Sequence, residues 1–201
     1  MGENAGGAGS SALATRYHVQ TRPKPPILPY ANSGAAYVSY DPAAIDVARA
    51  VGTLIESRAP WSKVEHIGST AIPGCAGKGI VDIMVMYPRD RLEATRAAID
   101  ALGFQPQQSG HIFPNERPMR IGAIDHEGKR YRLHAHVIAT ASPEVESLRR
   151  FRDLLRADSS LRDAYQDKKR AILQSGLREP RAYTQAKGEF ITAVIGGSHK
   201  R

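Results

Sequence analysis

Apolar positions fall into two regimes along this chain. From about Tyr37 to Ile138 short apolar runs alternate with helical stretches, and from Ser142 onward the spacing is helical throughout. Tyr37-Val38-Ser39-Tyr40 predicts a short strand. Asp41-Pro42 then predicts a helix N-cap and first position, and Ala44, Val47, Ala48, Val51, Leu54 and Ile55 carry a helical stripe to about Ser57. Lys63 to Ile67 reads as the next strand, followed by the loop GSTAIPGCAGKG. Ile80 to Met86 is almost wholly apolar, as a buried central strand requires. Asp90 is placed to cap a helix through Leu102, with Gly103 as its stop. Two more strands, about Met119 to Ile124 and Lys129 to Ile138, flank a turn built on Asp125-His126-Glu127-Gly128.

Three helices complete the chain, from Ser142-Pro143 to about Arg156, from about Ser160 to Gln174, and from about Pro180 to Ile195. Strands with helices come first and helices alone come last, so the fold class is α+β. One domain is expected over 37–197, with a sheet core over 37–140 and a helical part over 142–195. Residues 1–36 open on small, flexible residues and continue into the proline-rich RPKPPILP; they are expected to form a poorly ordered tail outside the fold.

Composition narrows the setting. A length of 201 residues with 41% hydrophobic and 24% charged residues suits one soluble domain. No apolar run reaches membrane-spanning length, and the first residues lack a signal-peptide core. The single cysteine, Cys75, excludes an internal disulfide and fits a reducing cytoplasm. The net charge is +8, and residues 148–201 carry +7 of it, with 13 Lys/Arg against 6 Asp/Glu. Such a concentration points to an anionic partner, either nucleoside phosphates or nucleic acid, or else to basic helix faces turned to water.

Two features carry candidate chemistry. Gly68-Ser69-Thr70 follows a strand directly; glycine lets backbone amides approach a phosphate and the hydroxyls add donors, although such a loop is also an ordinary turn. Asp82 interrupts an otherwise apolar strand, and a buried unpaired carboxylate is costly, so it belongs at a rim or on a metal. Cys75 has no base fixed beside it in sequence and reads as structural.

The run Glu65-His66-Ile67-Gly68-Ser69-Thr70-Ala71-Ile72-Pro73-Gly74, then Ala76-Gly77-Lys78 and Ile80-Val81-Asp82-Ile83, resembles the signature of the GrpB-like family of the DNA polymerase beta-type nucleotidyltransferase superfamily. Tyr40-Asp41-Pro42, Leu133-His134-Ala135-His136-Val137, Phe151-Arg152-Asp153, Tyr165 with Lys169, and Tyr183 with Lys187 extend the resemblance over about Tyr37 to Ile195. It implies a nucleotidyltransferase-like mixed sheet with flanking helices. It also implies a Gly-Ser loop holding nucleotide phosphates at Gly68, Ser69 and Thr70, beside a carboxylate on a divalent metal, Mg²⁺ or Mn²⁺. The nucleotide implied is a nucleoside triphosphate, ATP first.

The chain departs from the superfamily pattern on two strands. Two carboxylates usually alternate on the strand after the loop, but the partner of Asp82 is Met84. His134 and His136 alternate on one face where a third carboxylate is expected. With Asp82 they make a two-His, one-carboxylate set suited to softer metals than Mg²⁺, or they are hydrogen-bonded structural residues. His136 is also a candidate general base, and Glu65 a candidate replacement carboxylate. Lys78, Lys169 and Lys187 are candidate phosphate cations, the last two each four residues after a tyrosine on a helix face. Tyr183 is the candidate base-stacking partner beside Lys187, unless each tyrosine packs the core while its lysine reaches water. Arg117 and Arg120 receive no role.

Three functions follow in order. The first is a nucleoside-triphosphate-using transferase acting on a small-molecule acceptor, including activation of an acid for ligation. The second is a non-catalytic nucleotide- or anion-binding protein with a degenerate metal site, and the third an RNA-binding protein. No membrane partner is expected.

Overall fold

A computed structural model describes residues 24–30, 37–107, 113–175 and 180–197, apart from the side chains of residues 180–184 and 186. Five strands, β1 (Lys63–Ile67), β2 (Ile80–Tyr87), β3 (Gln105–Pro106), β4 (Met119–His126) and β5 (Lys129–Ala139), form one mixed sheet in the order β1-β2-β5-β4-β3. Among the described residues, only β2 and β5 pair in parallel, setting Asp82 opposite His134 and Met84 opposite His136. β1 runs antiparallel to β2, with Ile67 opposite Asp82 and Glu65 opposite Met84. The β4–β5 hairpin closes on Glu127 and Gly128, both at positive φ, as a two-residue turn demands.

Side-chain alternation gives the sheet two different faces. Val81, Ile83, Val85 and Tyr87 of β2, with Leu133, Ala135 and Val137 of β5, pack against α1 (Ala43–Arg58) and α2 (Leu92–Ala101). The α1 stripe Ala44, Val47, Ala48, Val51 and Ile55 is buried there, each full-sized apolar side chain contributing about 1.5–3 kcal/mol. On the opposite face Met84, Met86, Ile138 and Ile67 meet Val145 of α3 (Pro143–Ala157). A third cluster, Ile72, Cys75, Leu155, Tyr165 and Val194, fastens α3, α4 (Ser159–Gln174) and α5 (Pro180–Ile195) to the loop after β1.

Four local expectations change. Residues 37–40 form no strand; Val38 makes an isolated bridge with Gly77. Asp41 does accept from the Ala43 N–H, but the helix begins at Ala43. Asp90 does not cap α2: it sits at φ 63°, and Arg91 holds the cap position. The proline-rich stretch is not outside the fold where it is described. Ile27 is 2% exposed within the α1/α2 core, its N–H bonds to Leu102 O at 3.0 Å, and Leu28 exchanges backbone hydrogen bonds with Ala123. This strap covers the edge of β4 beyond β3. Glycine makes the slot, since a Cβ at Gly103 or Gly122 would collide with Ile27.

Candidate functional site

The face of β2 and β5 that is not covered by α1 and α2 opens into a cavity of about 470 Å³ between the sheet and α3–α5. Register explains what enters it. Parallel pairing sets Asp82 beside His134, and two residues further on His136 occupies the same face. Asp82 Oδ1 lies 3.3 Å from His134 Nδ1 and 3.3 Å from His136 Nε2. Burial pushes the Asp82 carboxyl upward, but the two histidine hydrogen bonds and their charges outweigh it and hold the group well below the usual carboxylate range. Burial lowers the proton affinity of His136, opposed by the Asp82 hydrogen bond and charge.

Each of Asp82, His134 and His136 offers one potential metal-ligand atom, and these atoms all lie within 4.8 Å of one another. One hard oxygen and two imidazoles fit Mn²⁺, Fe²⁺ or Zn²⁺ better than Mg²⁺. A two-metal carboxylate site does not fit. Met84 is fully buried among Ile67, Met86, Ile138 and Val145, so the position of a second carboxylate belongs to the core.

Gly68 is what lets the loop close on Asp82. It adopts φ 72° and ψ −172°, and a Cβ there would stand 2.5 Å from Asp82 Oδ2. Ser69 lines the cavity, and its Oγ occupies the space a side chain at Gly77 would need. Thr70 faces elsewhere: its hydroxyl donates to Ile80 O at 3.1 Å and meets His66 Nε2 at 3.0 Å. Because one hydroxyl proton serves Ile80, His66 carries its proton on Nε2 and donates to Thr70. Thr70 therefore lies outside the cavity lining and supports the loop from behind.

Three lysines reach the cavity. Lys78, Lys169 and Lys187 all line it, and burial lowers the proton affinity of each. For Lys187 burial brings the pKa down to about 8, opposed by the Asp82 charge, so it stays mostly protonated at pH 7. Lys169 is 2% exposed, donates to Ala76 O and Cys75 Sγ, and sits 4.4 Å from the Tyr165 ring centre. Tyr165 packs between Phe151 and Phe190 and also lines the cavity, while Lys169 lies buried beside it instead of reaching water. The side chain of Tyr183 lies outside the described residues.

Glu65 shares the face of Asp82, but Arg149 and Arg152 hold it. The Arg149 hydrogen bond, opposed by burial and reinforced by Arg152, keeps its carboxyl below the usual range. Glu65 is not within the Asp82–His134–His136 group and does not line the cavity. Much of the basic helical segment is similarly spent inside the protein. Arg156 donates to Ala71 O at 2.8 Å and Arg162 to Pro73 O at 3.3 Å, while Gln166 accepts from the Ala76 N–H at 2.9 Å. These contacts staple the glycine-rich loop to α3 and α4, and the positive charge of that segment is a structural device as much as a field.

Residues that carried no sequence signal complete the wall. Arg117 forms a bidentate pair with Glu144 and stacks over Phe113, and all three line the cavity. Its neighbour Arg120 instead pairs with Asp100 on α2. Tyr30, from the strap, sets its hydroxyl 3.4 Å from His134 Nε2.

The family model for the GrpB protein matches residues 36–196. The chain belongs to the GrpB family. It is 35% identical over 136 residues to a UPF0157 protein of Streptomyces coelicolor, covering 65% of this chain and 66% of the relative. With a UPF0157 protein of Halalkalibacterium halodurans it shares 29% over 133 residues, covering 66% and 65% respectively. The matched stretch thus spans just under two thirds of those relatives' length. The crystal structure of conserved protein GrpB from Enterococcus faecalis superposes with a TM-score of 0.65 at 22% identity, covering 81% of this chain and 96% of that one. That likeness establishes the α+β fold. A structure of the Cid1 poly(U) polymerase reaches a TM-score of 0.47 at 13% identity over 65% of this chain and 41% of that one, too distant to bear on activity. Among the described residues, no helix is long and apolar enough to cross a membrane.

Proposed function

We propose that this GrpB-family protein uses a nucleoside triphosphate, ATP first, as a transferase acting on a small-molecule acceptor. The observation that carries this reading is a single cavity in which Asp82, His134 and His136 stand with Lys78, Lys169 and Lys187 around the Gly68-Ser69 loop. Its volume of about 470 Å³ suits a ligand of nucleotide size. The lysines and Ser69 would hold phosphate oxygens, the closely approaching backbone at Gly68 leaving room for them. Asp82, His134 and His136 would hold one divalent ion, which supplies Lewis-acid polarisation of a phosphate oxygen when bound. Asp82, held well below the usual carboxylate range, is ionised at neutral pH, as a metal-binding carboxylate must be.

A second reading, a nucleotide- or anion-binding protein without catalysis, is favoured by the complete burial of Met84. Calorimetry with ATP, GTP and CTP, with and without Mn²⁺ or Mg²⁺, on the wild type and Asp82→Ala, separates the two. Metal-dependent binding lost in Asp82→Ala, with pyrophosphate release when cell extract supplies an acceptor, supports the transferase. Metal-independent binding that Asp82→Ala leaves intact supports the second reading. Salt-sensitive binding of structured RNA without nucleotide binding would replace both.

A further inference from the structure

We infer that Tyr30 is a positioning residue for His134, delivered to the site by the strap of residues 24–30, which lies outside the region the family model matches. The inference rests on the proposed ligand set and adds a residue that orients one of its members.

The strap is anchored on the face away from the cavity and ends on the cavity face. Ile27 is buried in the α1/α2 core, and Leu28 is clamped to Ala123 by hydrogen bonds of 2.7 and 2.9 Å. Two residues later Tyr30 lies against the His134 ring, with ring centres 5.7 Å apart and planes tilted by 35°. The chain therefore crosses the sheet edge at β4 and places one aromatic side chain on β5.

The two histidines differ in their outward nitrogens. His136 turns Nε2 to Asp82, and its buried Nδ1 has no hydrogen-bond partner among the described residues. His134 turns Nδ1 to Asp82 and Nε2 to the Tyr30 hydroxyl. An imidazole that binds a metal through one nitrogen is oriented by what its other nitrogen meets, and such partners typically carry ten- to hundred-fold in metal affinity. A phenol serves both states. It donates to Nε2 when Nδ1–H faces Asp82, and accepts from Nε2–H when Nδ1 is a ligand.

The test uses full-length Tyr30→Phe, which keeps the ring and removes the hydroxyl. Nitrogen-15 imidazole spectra of the metal-free chain should show His134 as the Nδ1–H tautomer in the wild type and a mixture in the variant. His136 should be unchanged, a contrast that general loosening of the fold would not give. Zinc affinity by chelator competition should fall about ten-fold. An unchanged His134 tautomer overturns the inference, as does unchanged zinc affinity in a chain whose wild type binds zinc. If the wild type takes up no metal, the ligand-set reading falls, and the tautomer still decides the role of Tyr30.

Discussion

Gly68 and Asp82 are mutually dependent: the carboxylate occupies the space in which any side chain at position 68 would stand, 2.5 Å from the Cβ it would carry. The loop's backbone at φ 72° and ψ −172° is a conformation that only glycine adopts without strain. Gly68→Ala should therefore cost about 1–3 kcal/mol of stability and also displace Asp82. Gly128→Ala is the control, since φ is 76° there but nothing lies within 4 Å. Manganese and nucleotide titrations should lose at least ~10-fold affinity in the first variant and none in the second. Equal behaviour of the two would remove the contact with Asp82 from the account.

Restoring a second carboxylate should not restore a two-metal site. Met84→Asp places a charge among the apolar side chains of Ile67, Met86, Ile138 and Val145. The expected result is a loss of at least about 3 kcal/mol in urea denaturation, and no gain in Mg²⁺ affinity. A stable variant with tighter Mg²⁺ binding would show that position 84 belongs to the site after all.

The strap makes a simple prediction. Ile27→Ala should lower stability by about 2–4 kcal/mol, because the side chain is buried, with its Cγ2 seated against the backbone at Gly122. A loose tail would give a change within about 0.5 kcal/mol. Denaturant unfolding of the full chain distinguishes the two.

His66 should contribute a pH dependence. Burial pushes its imidazole from 6.5 down to about 4, while the nearby Asp82 charge opposes the shift. Between those values the unfolded chain binds the proton and the folded chain does not, so stability falls as pH drops from 6.5 towards 4. The loss is on the order of 3 kcal/mol. His66→Gln keeps a donor for Thr70 without titrating, and its stability between pH 7 and pH 4 should decline correspondingly less. Parallel pH–stability curves for the two proteins would falsify this assignment.

Much of the fold was legible because its signals are local. The apolar run from Ile80 to Met86, the stripe in α1 and the Ser142-Pro143 start of α3 each depend on residues near one another in the chain, and each forms the element expected of it. Errors arose where a local signal met a distant partner. Asp90 is a fitting cap by composition, yet the chain turns through positive φ there. A proline-rich segment resembles a tail until Ile27 finds a slot made by two glycines far along the chain.

The same division runs through the site. Gly68, Ser69, Lys78 and Asp82 announced themselves within fifteen residues, and the alternation of His134 and His136 put both on one face of their strand. Sequence by itself thus determined the α+β order, the loop-then-aspartate motif and the absence of a carboxylate at position 84. Only the tertiary structure decided that β2 and β5 lie parallel in the register that brings both histidines to Asp82, and that Arg149 and Arg152 take Glu65. It also turned Thr70 away from the cavity and carried Tyr30 to a histidine 104 positions away. The physical reason is that strand pairing and charge pairing join residues whose separation along the chain leaves no periodic trace. The carboxylate of Asp82 is held low by neighbours that its own strand does not contain.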